Sequence, residues 1–107
     1  MSNLTAVITP QQARALTIAN ERRVATALLK SRLRRGELTL ADVIAHPPAE
    51  AGQALTFEVL LWAPQFGPWR LRLLNSRAMR YGQVNLATPL GELTDRQRQW
   101  LASEIRR

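Results

Sequence analysis

From Gln11 to Arg35 the chain contains neither glycine nor proline, and both ends of that run carry helix signals. Thr9 can cap, Pro10 suits a first helical position, and Gln12 completes a capping box. Gly36 supplies the stop. One long helix is therefore set before any other part of the chain is read. Ala13, Leu16, Asn20, Val24, Ala27 and Leu28 recur near helical spacing, with Ala25, Leu29 and Leu33 beside them. The stripe is rich in small residues, which predicts that other helices lie close against it. Arg22, Arg32 and Arg35 fall mainly outside it.

The remaining segments are short and helical in pattern. Thr39–Ala45 is a second helix with its own cap, ended by His46-Pro47-Pro48. The lone histidine there reads as a capping residue. Residues 49–54 read as a loop and Leu55–Ala63 as a mostly buried third helix. A turn follows, then a helix from Pro68 to Met79. Tyr81–Gly91 is irregular, punctuated by Gly82, Pro89 and Gly91. Thr94-Asp95-Arg96-Gln97 is a second capping box, opening a last helix to Ile105 with Trp100, Leu101 and Ile105 on one face. No segment alternates as a strand would. The expectation is an all-α fold in which a long N-terminal helix packs on a compact helical bundle. Residues 9–107 form the single domain, and residues 1–8 a flexible N-terminal arm.

Charge is distributed unevenly. The chain carries a net charge of +7 from fifteen bases and eight acids, and Lys30 is its only lysine. Between Thr9 and Gly36 there are seven bases and one acid, Glu21. Glu37–Pro64 has four acids and no Lys or Arg, whereas Gln65–Tyr81 has four bases and no acid. Two basic segments separated by an acidic one suggest one face for a polyanion and another turned away from it. Arginine forks suit phosphate oxygens, which they engage two at a time. Cysteine is absent, which excludes disulfides, thiolate metal sites and cysteine nucleophiles. No metal-ligand spacing, paired-carboxylate cluster or nucleophile with its base is present, so the chain does not read as an enzyme and implies no metal or cofactor. No apolar run reaches membrane-spanning length, and Met1–Pro10 lacks the features of a signal peptide. The expected location is the cytoplasm.

The segment Leu60–Leu74 carries the most chemistry. Pro64 stops a helix, Phe66 is an apolar plug, Gly67 permits close backbone approach, and Pro68 opens the next helix. A helix N-terminus behind a glycine presents backbone N–H groups to an anion. Arg70 and Arg72 follow at once, with Arg77 and Arg80 beyond. Trp62, Trp69 and Trp100 read as core side chains; a Trp69 wedge into a base step would require that residue to be exposed.

Taken together, four pieces resemble the actinobacterial integration host factor family. Thr9-Pro10-Gln11-Gln12 resembles the start of that family's long helix. Leu28-Leu29-Lys30-Ser31-Arg32-Leu33-Arg34-Arg35-Gly36 resembles its helix end. Val59-Leu60-Leu61 with Pro64, Phe66-Gly67 and Arg70 resembles its helix–two-turns–helix core. Gly91-Glu92-Leu93-Thr94-Asp95-Arg96-Gln97-Arg98 resembles the approach to its last helix. The resemblance implies a nucleoid-associated protein that binds duplex DNA with little sequence preference, bends or compacts it, and assists phage integrases. This chain departs from the family pattern twice. Pro68 stands where a basic residue is usual, and the loop from Tyr81 to Gly91 has no charge.

These readings assign DNA binding to Phe66, Gly67, Trp69, Arg70, Arg72, Arg77 and Arg80, with a second strip at Arg22, Arg23 and Arg32. Double-stranded DNA is the expected partner, together with an integrase or other recombination protein, for a monomer in the cytoplasm. The same residues leave two other readings open: an RNA- or ribosome-associated protein, and a phage adaptor that contacts a protein through its acidic stretch.

Overall fold

A computed structural model describes residues 9–107, and within these every regular element is helical. The expected flexible arm at residues 1–8 lies outside the described residues. In order, the elements are α1 (Pro10–Arg34), α2 (Leu40–Ala45), α3 (Ala49–Gly52), α4 (Thr56–Leu61), α5 (Pro68–Arg77) and α6 (Asp95–Arg106). A π-helical turn at Ala78–Gly82 extends α5, and a 3-10 turn at Leu90–Glu92 precedes α6. The all-α expectation holds: a long N-terminal helix joined to a compact helical region.

Both capping boxes form. The Thr9 hydroxyl accepts from the Gln12 N–H at 3.1 Å while Gln12 Oε1 accepts from the Thr9 N–H at 2.9 Å. Thr94 and Gln97 repeat the exchange at 3.2 and 2.9 Å. Gly36 has φ +76°, the left-handed conformation that ends α1. His46 is the C-cap of α2 through its backbone, donating its N–H to the Asp42 carbonyl at 2.9 Å.

The core gathers where α2 lies along α6. In α2 every residue but Asp42 is buried, and α6 contributes Leu101 and Ala102, with Trp100 and Ile105 packed against the cluster. Val59, Leu60, Phe66, Leu74, Val84 and Leu90 complete it. From α1 only Leu29 and Leu33 enter. The packing expected along the whole α1 stripe is therefore confined to its last turns. Leu16 and Leu28 are 60% and 57% exposed, and every residue from Thr9 to Val24 faces solvent. The reason is length. A 25-residue helix is about 37 Å long, longer than the short helices beside it can flank. The chain's radius of gyration, 17.1 Å, exceeds the roughly 13 Å of a compact 100-residue domain.

Two loops are more ordered than the sequence suggests. Residues 49–54, read as a loop, contain the helical turn α3, which Pro48 starts in extended conformation and buried Ala51 anchors. Behind it, Gly91 meets Gly52 so closely that a Cβ on Gly91 would lie 2.9 Å from the Gly52 carbonyl. The third helix begins at Thr56 rather than Leu55, because Leu55 is extended and bridges Pro89. Within the 81–91 segment, Gln83 adopts φ 54° and closes the π turn, with Val84 N–H bonded to the Ala78 carbonyl at 2.9 Å.

Gly82 packs its backbone on the Trp100 ring, and an added Cβ would meet ring atoms at 2.5–2.8 Å. Since the indole is itself packed against the core, it has little room to retreat. Gly82→Ala should destabilise the protein by about 1–3 kcal/mol through overpacking. The shift in the urea-unfolding midpoint measures it, and an unchanged midpoint would refute the tight-contact account.

Candidate nucleic-acid interface

The turn between α4 and α5 is built from a buried plug and an uncapped helix end. Phe66 is 4% exposed and donates its N–H to the Ala63 carbonyl at 3.0 Å. Gly67, extended at φ −89°, is the N-cap of α5, and no side chain bonds to that helix end. Pro68 has no N–H. The first bond of the helix runs from Leu71 N–H to the Gly67 carbonyl at 3.1 Å. The N–H groups of Trp69 and Arg70 therefore precede the first helical hydrogen bond. An added Cβ on Gly67 would find nothing within 4 Å. No part of the described chain makes the close approach expected at Gly67.

Arg70 stands beside them. Its guanidinium lies over the Phe66 ring at 4.9 Å, and no carboxylate comes within ion-pair distance among the described residues. Phe66 is the apolar plug expected from the sequence, and its buried ring is the surface on which the Arg70 guanidinium rests. Arg72 lies about 160° around the axis from Arg70 at 3.6 residues per turn. It lines a groove with Phe57, Pro68, Asn75 and Asn85 on the opposite flank of α5. The uncharged 81–91 loop thus contributes Asn85 to the wall of that groove.

Arg77 is differently placed. Its Nε donates to Glu104 Oε1 at 2.5 Å, across from α5 to α6. Glu104 is largely covered, with its side chain 10% exposed, and also pairs with Arg107 at 3.1 Å. The hydrogen bond from Arg77 is the main reason the Glu104 carboxyl sits below its ordinary pKa, and burial opposes it. The same bond raises Arg77 above its own ordinary value. Among the described residues, Arg77 is therefore paired within the protein, unlike Arg72 and Arg80. The guanidinium groups of Arg77 and Arg80 lie 5.3 and 6.0 Å from the Tyr81 ring, and Arg80 has no acidic partner among the described residues. Arg98 is also engaged, by Asp95 and the Leu93 carbonyl.

Trp69 does not join the core as the sequence suggested. It is 67% exposed on the first turn of α5. Trp62 is half-buried at the end of α4, with the Lys30 ammonium 5.2 Å from its ring.

The two basic segments approach each other beside that contact. Lys30 on α1 reaches the residue that ends α4, while Leu33, Phe66 and Arg70 line one cavity of about 510 Å³. The cationic face of α1 passing this point consists of Arg22, Arg23, Lys30 and Arg34 around a shallow floor of Ala19, Thr26 and Ala27. Arg32, the third residue expected in the α1 strip, projects elsewhere and pairs with Glu37 at 3.7 Å, as Arg35 does at 3.2 Å. Lys30 and Arg34 are the residues that the sequence reading omitted. The signal for them was the i, i+7, i+11 spacing of Arg23, Lys30 and Arg34, which places all three on one helix face.

No family model, curated protein or solved structure matches the chain.

The Arg77–Glu104 pair carries a pH signature. A carboxyl held below its unfolded pKa stabilises the fold above that unfolded value and loses the contribution as pH falls toward the folded one. Resistance to urea should therefore drop as pH is lowered below about 4.3, the usual glutamate value. Glu104→Gln should flatten that part of the profile. An identical acid limb in the variant would show that the pair is not the cause.

Proposed function

We propose that the protein binds duplex DNA through its phosphates, with low sequence preference, and bends or compacts it as an architectural protein. The observation that carries this reading is the junction at Lys30, Trp62, Phe66 and Arg70. There, α1's unpaired cations adjoin a turn with two free helix-end N–H donors. The donors and the positive end of the α5 dipole take one phosphate, and Arg70 adds a charge-assisted contact to it. Arg72 and Arg80 serve neighbouring phosphates from the other flank and from the end of α5. Arg22, Arg23, Lys30 and Arg34 form the second strip along α1. Of the acids in Glu37–Pro64, Asp42 lines the same cavity as Arg70 and Glu50 borders Arg22, so that segment edges both strips.

Contacts of this type position a protein on DNA without reading its sequence. The protein acts by binding rather than by catalysis. The resemblance to the actinobacterial integration host factors adds a cellular setting: association with the nucleoid, and support of an integrase during recombination.

With about five to seven phosphates neutralised, log affinity should fall against log salt with a slope of roughly −5 to −6. Fluorescence anisotropy of a labelled 30-base-pair duplex, read from about 50 to 300 mM salt, measures it. A flat response, or no binding at the lowest salt, would overturn the reading. Competition by duplex RNA at equal strength would turn it toward RNA.

The two central arginines should behave differently. Arg70→Ala should weaken DNA binding by on the order of 1–2 kcal/mol, roughly 5- to 30-fold, and leave thermal stability close to wild type. Arg77→Ala should do the reverse, lowering stability with a smaller effect on affinity. Equal losses of affinity in the two variants would contradict the assignment of Arg77 to Glu104.

A further inference from the structure

The exposed side of α5 is more than a row of cations. Trp69 and Leu73, one turn apart, are 67% and 51% exposed and stand on the same line of the helix surface. Leaving an indole and a leucine in water forfeits burial that a folding chain ordinarily takes. The body of this protein has no use for them: Leu71, Leu74 and Ala78 already make the inward side of α5. The two apolar side chains form a narrow crest about 6 Å long at 1.5 Å per residue. Arg70 lies on one flank and Arg72 on the other. No acid occurs between Val59 and Gly91.

Those observations select the occupant. A second copy of this crest would bring two rows of arginine face to face. A broad apolar surface would leave the flanking guanidinium groups without partners. A polyanion with apolar faces between its charged edges satisfies both, and a base step between two phosphate backbones is such a surface.

We infer that Trp69, backed by Leu73, wedges into a base step of the bound duplex and kinks it, while Arg70 and Arg72 hold the phosphates on either side. This rests on the DNA-binding reading above and adds a bending element to it. The wedge and one phosphate anchor then share a single helical turn, since the free N–H of Trp69 belongs to the residue whose side chain inserts. The cost of unstacking a step falls when the step is already weakened, so a duplex with a central mismatch should be the preferred ligand.

The test compares wild type, W69A and W69F on an intact duplex and on one with a central mismatch, both labelled at their ends for energy transfer. Circular dichroism melts of the variants should match wild type, because Trp69 is outside the core. Wild type should shorten the end-to-end distance and favour the mismatched duplex. W69A should bind about fivefold or more weakly. It should lose both the shortening and the preference, yet keep the wild-type salt slope, and W69F should retain most of each. If W69A binds and bends as wild type does, the wedge is wrong and phosphate binding stands. If wild type binds neither duplex at low salt, the DNA reading fails and the wedge with it. Trp69-dependent binding to vesicles of one part phosphatidylglycerol to three parts phosphatidylcholine, without any DNA bending, would also overturn it and assign the crest to an anionic membrane.

Discussion

A six-residue helix has no stability of its own, and α4 exists because another part of the chain completes its first turn. Thr56, the one buried polar residue among those described, donates its N–H and its hydroxyl to the Thr88 carbonyl at 3.0 and 2.7 Å. Phe57 N–H reaches the Leu86 carbonyl at 3.0 Å, and Leu90 N–H returns to the Ala54 carbonyl at 2.9 Å. This junction ties the strand-like end of the 81–91 loop to the start of α4, across the whole of α5. It fixes where α4 begins, hence where Trp62 ends it, and hence where the turn presents Gly67. Removing those carbonyls would leave four donors unmatched, three of them on the buried Thr56 and Leu90, at a cost of about 1–3 kcal/mol for each buried one.

The elements that the sequence announced are those whose signals are local. Capping needs only residues three apart, so Thr9 with Gln12 and Thr94 with Gln97 could be read directly. Gly36 and the proline pairs mark ends for equally local reasons. The errors lie where a distant partner decides. Nothing near Arg77 in the chain reveals Glu104, which arrives from the next helix. Phe66 was legible as an apolar plug, but nothing near it in the chain tells that the Arg70 guanidinium lies over its ring. The α1 stripe is a helical pattern whose upper part has no matching element in so short a body, and periodicity does not report length against available surface. Residues 49–54 were hidden for a different reason: their order comes from a backbone contact at Gly52 and Gly91, which leaves no side-chain pattern.

The cations divide into two populations that composition alone cannot separate. Arg32, Arg35, Arg77, Arg98, Arg106 and Arg107 each meet an acid within the protein. They consume the acidic side chains of Glu37, Asp42, Asp95 and Glu104. What remains is concentrated on α1 and α5, so the internal pairs sharpen the field of the outer ones rather than diluting it. The basic surface is defined as much by where the few acids sit as by the number of arginines.

The attachment of α1 also sets a mechanical property. About 30 Å of helix separates Leu29 from Thr9 at 1.5 Å per residue; Leu29 and Leu33 are its buried hold on the core, with the half-buried Ala25 and Thr26 facing α3 just before them. Geometry makes such a helix a lever with a short hinge: a tilt of about 10° at the buried end sweeps the far end through about 5 Å for an arm of that length. Small adjustments in packing at two leucines are thereby amplified into a change of reach of between one and two base-pair steps at about 3.4 Å each. Any such tilt would change the distance between the α1 strip and the turn most at Arg22, the strip residue farthest from the buried Leu33.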